Sequence, residues 1–179
     1  MGGLRAAAAS VEIAADDSMT IGGSILPGQA AGQEAPLRAS ALAIIADVPI
    51  CIISLDVLAF GRAHADRAAR EISDRLSIPR ENILITATHT HHAPTTMTVH
   101  ACEADEEFCA RVGQAAVAAA EAALAKIEAA AERPNDCEAE LLYAPGIENT
   151  IGHNSRWVMD DGQITWYGQD NSLSIRPSG

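Results

Sequence analysis

Aromatic residues and clusters of basic residues are both scarce in this 179-residue sequence. Aromatic side chains make up 3% of the chain, so we expect an aliphatic, closely packed core. Lysine and arginine number 12 against 24 acidic residues, and no basic run occurs, which gives a formal net charge of −12. Because nucleic-acid phosphates are bound by clustered cations, nucleic acid is excluded as an expected partner. An acidic surface favours solubility and repels anionic membranes.

Cysteine motifs and the common nucleotide and hydrolase signatures are also missing. The four cysteines contain no CxxC spacing, so neither a zinc knuckle nor a disulfide framework is predicted. Cys51 lies in an apolar run and is expected in the core, whereas a bridge between Cys102 and Cys109 stays open. No GxSxG, GxxxxGK[ST] or GxGxxG motif is present. A Cys–His nucleophile that uses Cys102 or Cys109 has no specific support.

The N-terminal region lacks the apolar core of a signal peptide, because Glu12, Asp16 and Asp17 interrupt its alanines. No apolar stretch approaches transmembrane length. We therefore expect a cytoplasmic protein without a transmembrane segment. With 48% hydrophobic residues, the length suits a single globular domain spanning residues 1–179.

Hydrophobic patterning predicts an α/β fold, with a mixed sheet flanked by helices. Apolar runs at 37–46 and 50–60 form a hairpin, and the β-branched second run predicts a strand covered on both faces. Glycine and proline predict a long loop at 16–36. The remaining expected elements are strands at 8–14, 82–87 and 138–144, helices at 62–76 and about 103–132, and a small hairpin at 159–164.

Three histidines follow the buried strand 82–87, in the run Thr88-His89-Thr90-His91-His92. Residues two apart point to the same side of an extended backbone, so His89 and His91 are expected to face one site. His92 would turn away or support the site. Neutral imidazole suits zinc, and ligands in α/β sheets gather at the carboxyl ends of strands. The alternative is a polar loop that precedes a helix.

Asp56 ends the preceding strand and either supports this site or caps a turn, and the sequence does not decide between the two roles. His64 and His100 are expected on the surface. His153 is a distant candidate contributor.

Several segments resemble the N-terminal part of the neutral/alkaline non-lysosomal ceramidase family. They are residues 10–13, 36–42, 53–56 and 78–84, and the element Ala87-Thr88-His89-Thr90-His91. The resemblance implies an incomplete, N-terminal portion of a larger catalytic domain. It also implies hydrolysis of the amide bond of ceramide, or of another small-molecule or lipid amide, by a zinc-bound water.

On this resemblance His89 is the first zinc ligand (Zn²⁺), and His91 is the active-site histidine that contacts the metal centre or the substrate. The family's remaining ligands lie further downstream than Gly179. Asp56 is a supporting carboxylate, and Arg156 stands one position later than the arginine that follows asparagine in many members. His92-Ala93-Pro94 departs from the family pattern. The competing hypothesis is a non-catalytic binding or scaffold domain that keeps the fold.

Overall fold

A computed structural model describes most of the chain. The described residues are 3–23, 25–130, 136–148, 156–159, 161–166 and 174–177. The chain divides into two compact units, Met1–Glu140 and Leu141–Gly179.

The first unit is built on a mixed four-stranded sheet in the order β1-β4-β5-β6. Strand β4 pairs antiparallel with β1 on one side and with β5 on the other. Strand β6 runs parallel to β5 after a helical crossover. The predicted α/β fold with a mixed sheet is confirmed, and so is the hairpin of β4 and β5. The elements are β1 Arg5–Ile13, β2 Thr20–Ile21, β3 Gly28–Gln29, β4 Leu37–Ile45, β5 Pro49–Leu55, α1 Arg62–Leu76, a 3₁₀ turn Arg80–Asn82, β6 Ile83–Ala87 and α2 Glu106–Ala129.

Both helices cover the same face of the sheet. Helix α2 packs on β1, β4 and β5, while α1 packs on α2 and β6. The side chains of the central strands alternate, so one set is buried beneath the helices. Alanines on β4 and on α2 let helix and sheet approach closely, and Phe108 is the largest fully buried side chain. The buried residues of β4 and β5 are Ala39, Ala41, Ala43, Cys51, Ile53 and Leu55.

The opposite face of the sheet is open in the described part of the chain. Leu42, Ile52 and Leu84 stand in register across three strands on this face. Leu42 is 37% exposed and Leu84 is 54% exposed. The prediction that β5 is covered on both faces is therefore wrong, because both helices pack on the same side. A continuous β-branched run does not by itself distinguish these two cases.

The outer edge of β1 is partly protected by α2 and by the segment after it. Lys126 Nζ donates a 2.7 Å hydrogen bond to the Ala8 carbonyl. Such a lysine blocks the pairing of an edge strand with another chain. Arg5 forms an isolated antiparallel bridge with Glu138. The predicted strand at 138–144 is wrong, because pairing ends at this bridge and residues 139–144 form no strand.

Helix α2 begins at a capped N-terminus and is shorter than predicted. The Asp105 carboxylate accepts a 2.8 Å hydrogen bond from the Phe108 N–H, which satisfies one of the unpaired donors there. By length and composition alone α2 could cross a membrane, contrary to the expectation that no stretch approaches that length. Half of its most apolar stretch is buried, and the helix packs on the sheet and on α1.

The second unit contains a three-stranded antiparallel sheet in the order β8-β7-β9. Its strands are β7 Arg156–Met159, β8 Ile164–Trp166 and β9 Ser174–Pro177. The predicted hairpin at 159–164 is confirmed. Gly162 adopts a left-handed φ of 80° in its turn, and the Asp161 carboxylate accepts a hydrogen bond from the Gln163 N–H.

Candidate functional site

Two parallel strands end side by side and carry the histidine turn, residues 88–92. Leu55 at the end of β5 is in register with Ala87 at the end of β6. The Thr88 N–H continues the ladder to the Leu55 carbonyl at 2.9 Å. The His89 N–H then bonds to the Val57 carbonyl at 3.1 Å. The turn therefore lies at the carboxyl edge of the sheet, where the sequence predicts a site.

His89 is held in one orientation by its backbone and its ring. Its φ is 64°, a left-handed conformation that is uncommon outside glycine and that asparagine, aspartate and histidine adopt more often than other residues. Ring Nδ1 lies 2.7 Å from the Leu58 carbonyl oxygen. Because a carbonyl oxygen can only accept, Nδ1 must carry the proton. The Nε2 atom of the neutral ring therefore keeps its lone pair for a metal ion or a donor.

His91 has the same arrangement with a different partner. Its Nδ1 donates to the Gly23 carbonyl at 2.9 Å, so the neutral ring again presents Nε2 as an acceptor. The ring centroids of His89 and His91 are 5.0 Å apart and the rings are nearly perpendicular. The two rings meet, as the sequence predicts, but the cause is a tight turn with a left-handed His89 rather than an extended strand.

The donor set of the histidine turn suits zinc but is incomplete. Metal-bound histidines usually donate the other ring N–H to a carbonyl or carboxylate, as both rings do here. Two imidazoles on one tetrahedral zinc ion have ring centroids roughly 5 Å apart, close to the observed separation. Among the described residues, however, no group of three histidine, cysteine or carboxylate side chains could hold a metal ion. A catalytic zinc site usually has three protein ligands.

A cavity of about 590 Å³ lies beside the turn and is lined by His92, Thr90 and Asp56. His92, which was expected to turn away from His89 and His91 or to support the site, is part of this wall. The other walls come from the predicted long loop, including Met19, Ile21 and the carboxylates of Asp16, Asp17 and Glu34, and from Leu37 at the start of β4. No lysine or arginine is among the described residues that line the cavity.

Asp56 closes the end of the β4–β5 ladder. Its Oδ2 accepts a 3.1 Å hydrogen bond from the Arg38 N–H, and its own N–H donates to the Arg38 carbonyl at 2.9 Å. The ring nitrogens that bond in the turn use carbonyl oxygens, not this carboxylate. Asp56 therefore has the capping contact that the sequence left as one of two roles, and it also faces the cavity.

His64 and His100 lie outside the histidine turn, and Arg156 belongs to the second unit. His64 was expected on the surface, but its side chain is only 17% exposed, against Phe60 and 3.7 Å from a Glu106 oxygen. His100 is exposed, as expected. Arg156 is exposed on β7 of the second unit. His153 lies outside the described residues.

Neither Cys51 nor Cys109 provides a reactive thiolate near neutral pH. All four are thiols, so no bridge joins Cys102 and Cys109. Burial, reinforced by the carboxylates of Glu106 and Asp105, raises the pKa of Cys109 to about 11. Burial likewise raises the pKa of Cys51 to about 11. A thiol of this pKa is almost entirely protonated at neutral pH and reacts slowly.

Sequence reasoning missed the contact between the histidine turn and two glycines of the long loop. Gly22 N–H bonds to the Ala93 carbonyl at 3.0 Å, and the Gly23 carbonyl holds His91. The available signal was the Gly-Gly pair itself, since adjacent glycines can mark a close backbone approach. The partner, 68 residues away, is not readable from the local sequence.

Comparison with solved structures finds a shared fold. Neutral ceramidase from Pseudomonas aeruginosa matches with a TM-score of 0.58 and 19% identity, over 70% of this chain and 22% of that one. A ceramidase complexed with C2 gives the same values. This chain thus spans about a fifth (22%) of the length of the structures it matches. No protein-family model and no curated protein matches the sequence. The chain has a ceramidase-like α/β fold.

Proposed function

We propose that this chain is part of a zinc-dependent hydrolase of linear amides, of the ceramidase type, with an N-acylated amine as substrate. The single observation that carries the proposal is the pair of imidazoles at the strand-end edge, each with its Nδ1–H bonded to a carbonyl. This arrangement fixes the tautomer that a metal ligand needs. The ceramidase-like fold supports the amide as substrate class.

In this proposal His89 is a metal ligand, and His91 stands beside it as a second donor to the metal centre or the substrate. The Leu58 and Gly23 carbonyls hold the two rings. Asp56 keeps the end of β5 in place and adds negative charge to the cavity wall. A bound zinc ion supplies Lewis acidity and lowers the pKa of its water. Arg156 remains a candidate for contact with the substrate in the complete site.

Zinc binding by the chain tests the proposal, with His89→Asn compared to His100→Asn. Both histidines have a left-handed φ, 64° and 53°, which asparagine adopts readily. Each substitution therefore removes an imidazole without adding backbone strain. By calorimetric titration with zinc chloride, we expect His89→Asn to weaken binding by at least about tenfold and His100→Asn to leave it unchanged. Equal affinities in both variants would contradict the assignment of His89.

A second candidate function is a non-catalytic binding domain. It is favoured by the absence of a three-donor group among the described residues. Release of fatty acid from N-acylsphingosine by the zinc-loaded chain, with loss of release in His89→Asn, would support the hydrolase. Tight retention of the same lipid without amine release would support the binding domain.

A further inference from the structure

We infer that Gly23 is the positioning residue of His91, and that the long loop of residues 16–36 thereby sets which nitrogen of this histidine faces the site. The inference rests on the proposed function of the histidine turn. Gly23 contributes in two separate ways, through its carbonyl oxygen and through its missing side chain.

The carbonyl oxygen of Gly23 selects the tautomer. It accepts the His91 Nδ1–H at 2.9 Å, which leaves Nε2 unprotonated in the neutral ring. Without that acceptor the proton exchanges between the two nitrogens, and Nε2 is available for only part of the time. An imidazole whose Nε2 carries the proton for part of the time binds a metal ion more weakly, because only the molecules with an unprotonated Nε2 can bind it.

The missing side chain of Gly23 permits the close approach. A Cβ atom at this position would overlap the carbonyl oxygen, Cα and Cβ of His91. The φ of Gly23 is not positive, so glycine is required by space and not by backbone conformation. A Cβ on neighbouring Gly22 would come within 2.9 Å of Thr95 Cα, a milder conflict.

The two residues just before these glycines pair with the segment that follows the histidine turn. Thr95 N–H donates to the Thr20 carbonyl at 2.8 Å, and Ile21 forms an antiparallel bridge with Pro94. Ile21 and Pro94 also line the cavity. The loop that forms the cavity wall therefore also holds the ring of His91, so a movement of the loop changes both.

The test compares Gly23→Ala with Gly28→Ala in the 179-residue chain. Gly28 belongs to the same loop, and a Cβ there would meet nothing within 4 Å, so it is the matched control. Nitrogen–proton correlation spectra at pH 8, where imidazole is neutral, report which ring nitrogen carries the proton. We expect His91 to be protonated at Nδ1 in the unmodified chain and in Gly28→Ala.

In Gly23→Ala we expect His91 to change to the tautomer mixture of an unconstrained imidazole, while His89 keeps its proton on Nδ1. Zinc affinity should fall by about tenfold, as when a supporting partner of a metal ligand is removed. Gly22→Ala, with its smaller conflict, provides an intermediate case if Gly23→Ala does not fold. Protonation of His91 at Nε2 in the unmodified chain would overturn the inference without any variant.

The two proposals fail in different ways. If the tautomer of His91 depends on Gly23 but zinc does not bind, the zinc-dependent function is wrong and the positioning stands. If zinc binds through the turn and Gly23→Ala alters neither tautomer nor affinity, the positioning role is wrong and the proposed function stands.

Discussion

The histidine turn and the pocket around His64 place imidazoles in opposite surroundings. In the turn, His89 and His91 are exposed beside a cavity of about 590 Å³, and their rings are fixed by backbone carbonyls. His64 instead packs against Phe60 and lines a pocket of about 130 Å³ together with Cys109.

The difference teaches that a histidine near a reactive residue type is not enough for a site. Cys109 beside the His64 pocket is buried, its thiol donates to the Thr96 carbonyl at 3.5 Å, and its pKa is raised. The histidine turn differs in each respect. Its imidazoles are exposed to solvent, a cavity lies beside it, and backbone carbonyls fix which ring nitrogen carries the proton. Chemistry needs both the group and an environment that leaves its reactive form available.

The largest effect that would sharpen this comparison is the pH dependence of thiol alkylation. Because Cys109 has a pKa near 11, its alkylation rate in the folded chain should rise about a hundredfold between pH 8 and pH 10. Mass spectrometry of the labelled peptide measures the rate, and the chain unfolded in urea is the control. A rate that levels off near pH 9 would show that Cys109 has the pKa of an unperturbed thiol and could act as a nucleophile in the pocket.

The same buried thiols make folding stability depend on pH at the alkaline end. The pKa values of Cys51 and Cys109 are raised to about 11 in the folded state, so the unfolded chain loses these protons first. Stability should therefore fall from about pH 9 to about pH 11, by about 1.4 kcal/mol per pH unit for each thiol. Urea unfolding at several pH values, with Cys109→Ala as a comparison, measures the slope. An equal slope in Cys109→Ala would contradict this assignment.

A smaller effect separates the two roles of Asp56. Asp56→Ala removes the acceptor of the Arg38 N–H and should lower the free energy of unfolding by about 1 kcal/mol. Asp56→Asn keeps an acceptor oxygen, so we expect a stability within about 0.5 kcal/mol of the unmodified chain and an unchanged zinc affinity. Calorimetric zinc titration checks the second point. A tenfold loss of affinity in Asp56→Asn would make Asp56 a ligand and extend the histidine turn.

The smallest effect is expected from His64→Gln. The ring contacts Phe60, and the nearest Glu106 oxygen belongs to an exposed carboxylate 3.7 Å away, so the polar contact contributes little. We expect a loss of less than about 1 kcal/mol in unfolding free energy and no change in zinc affinity. Reduced zinc affinity in this variant would show that the two regions are not chemically distinct.

The secondary structure was largely predictable because its causes are local. Helix α1 matches the predicted 62–76 because apolar residues recur at helical spacing, and the β4–β5 hairpin follows from two apolar runs around a turn. The errors concern partners that no local pattern contains. The exposed face of β5 and the early end of pairing at Glu138 depend on which surface the helices cover and on where an edge strand meets its neighbour.

The candidate site was predictable in its residues but not in its geometry. The run 88–92 after a strand identifies His89 and His91, because histidine is the residue type that combines metal ligation with proton transfer near neutral pH. The exposure of His64 was misjudged, since it depends on the packing of distant segments, and its side chain is mostly enclosed.

By itself, the sequence determined the α/β alternation, the end of β6 and the identity of the imidazoles placed there. Only the tertiary structure decided which nitrogen each imidazole presents, because Leu58 and Gly23 lie 31 and 68 residues from the rings they hold. The spacing of apolar residues along the sequence indicates which side of a segment faces the core. A hydrogen bond between distant segments forms only when the chain has folded. The ring nitrogens of His89 and His91 thus owe their chemistry to residues that no pattern around them reveals.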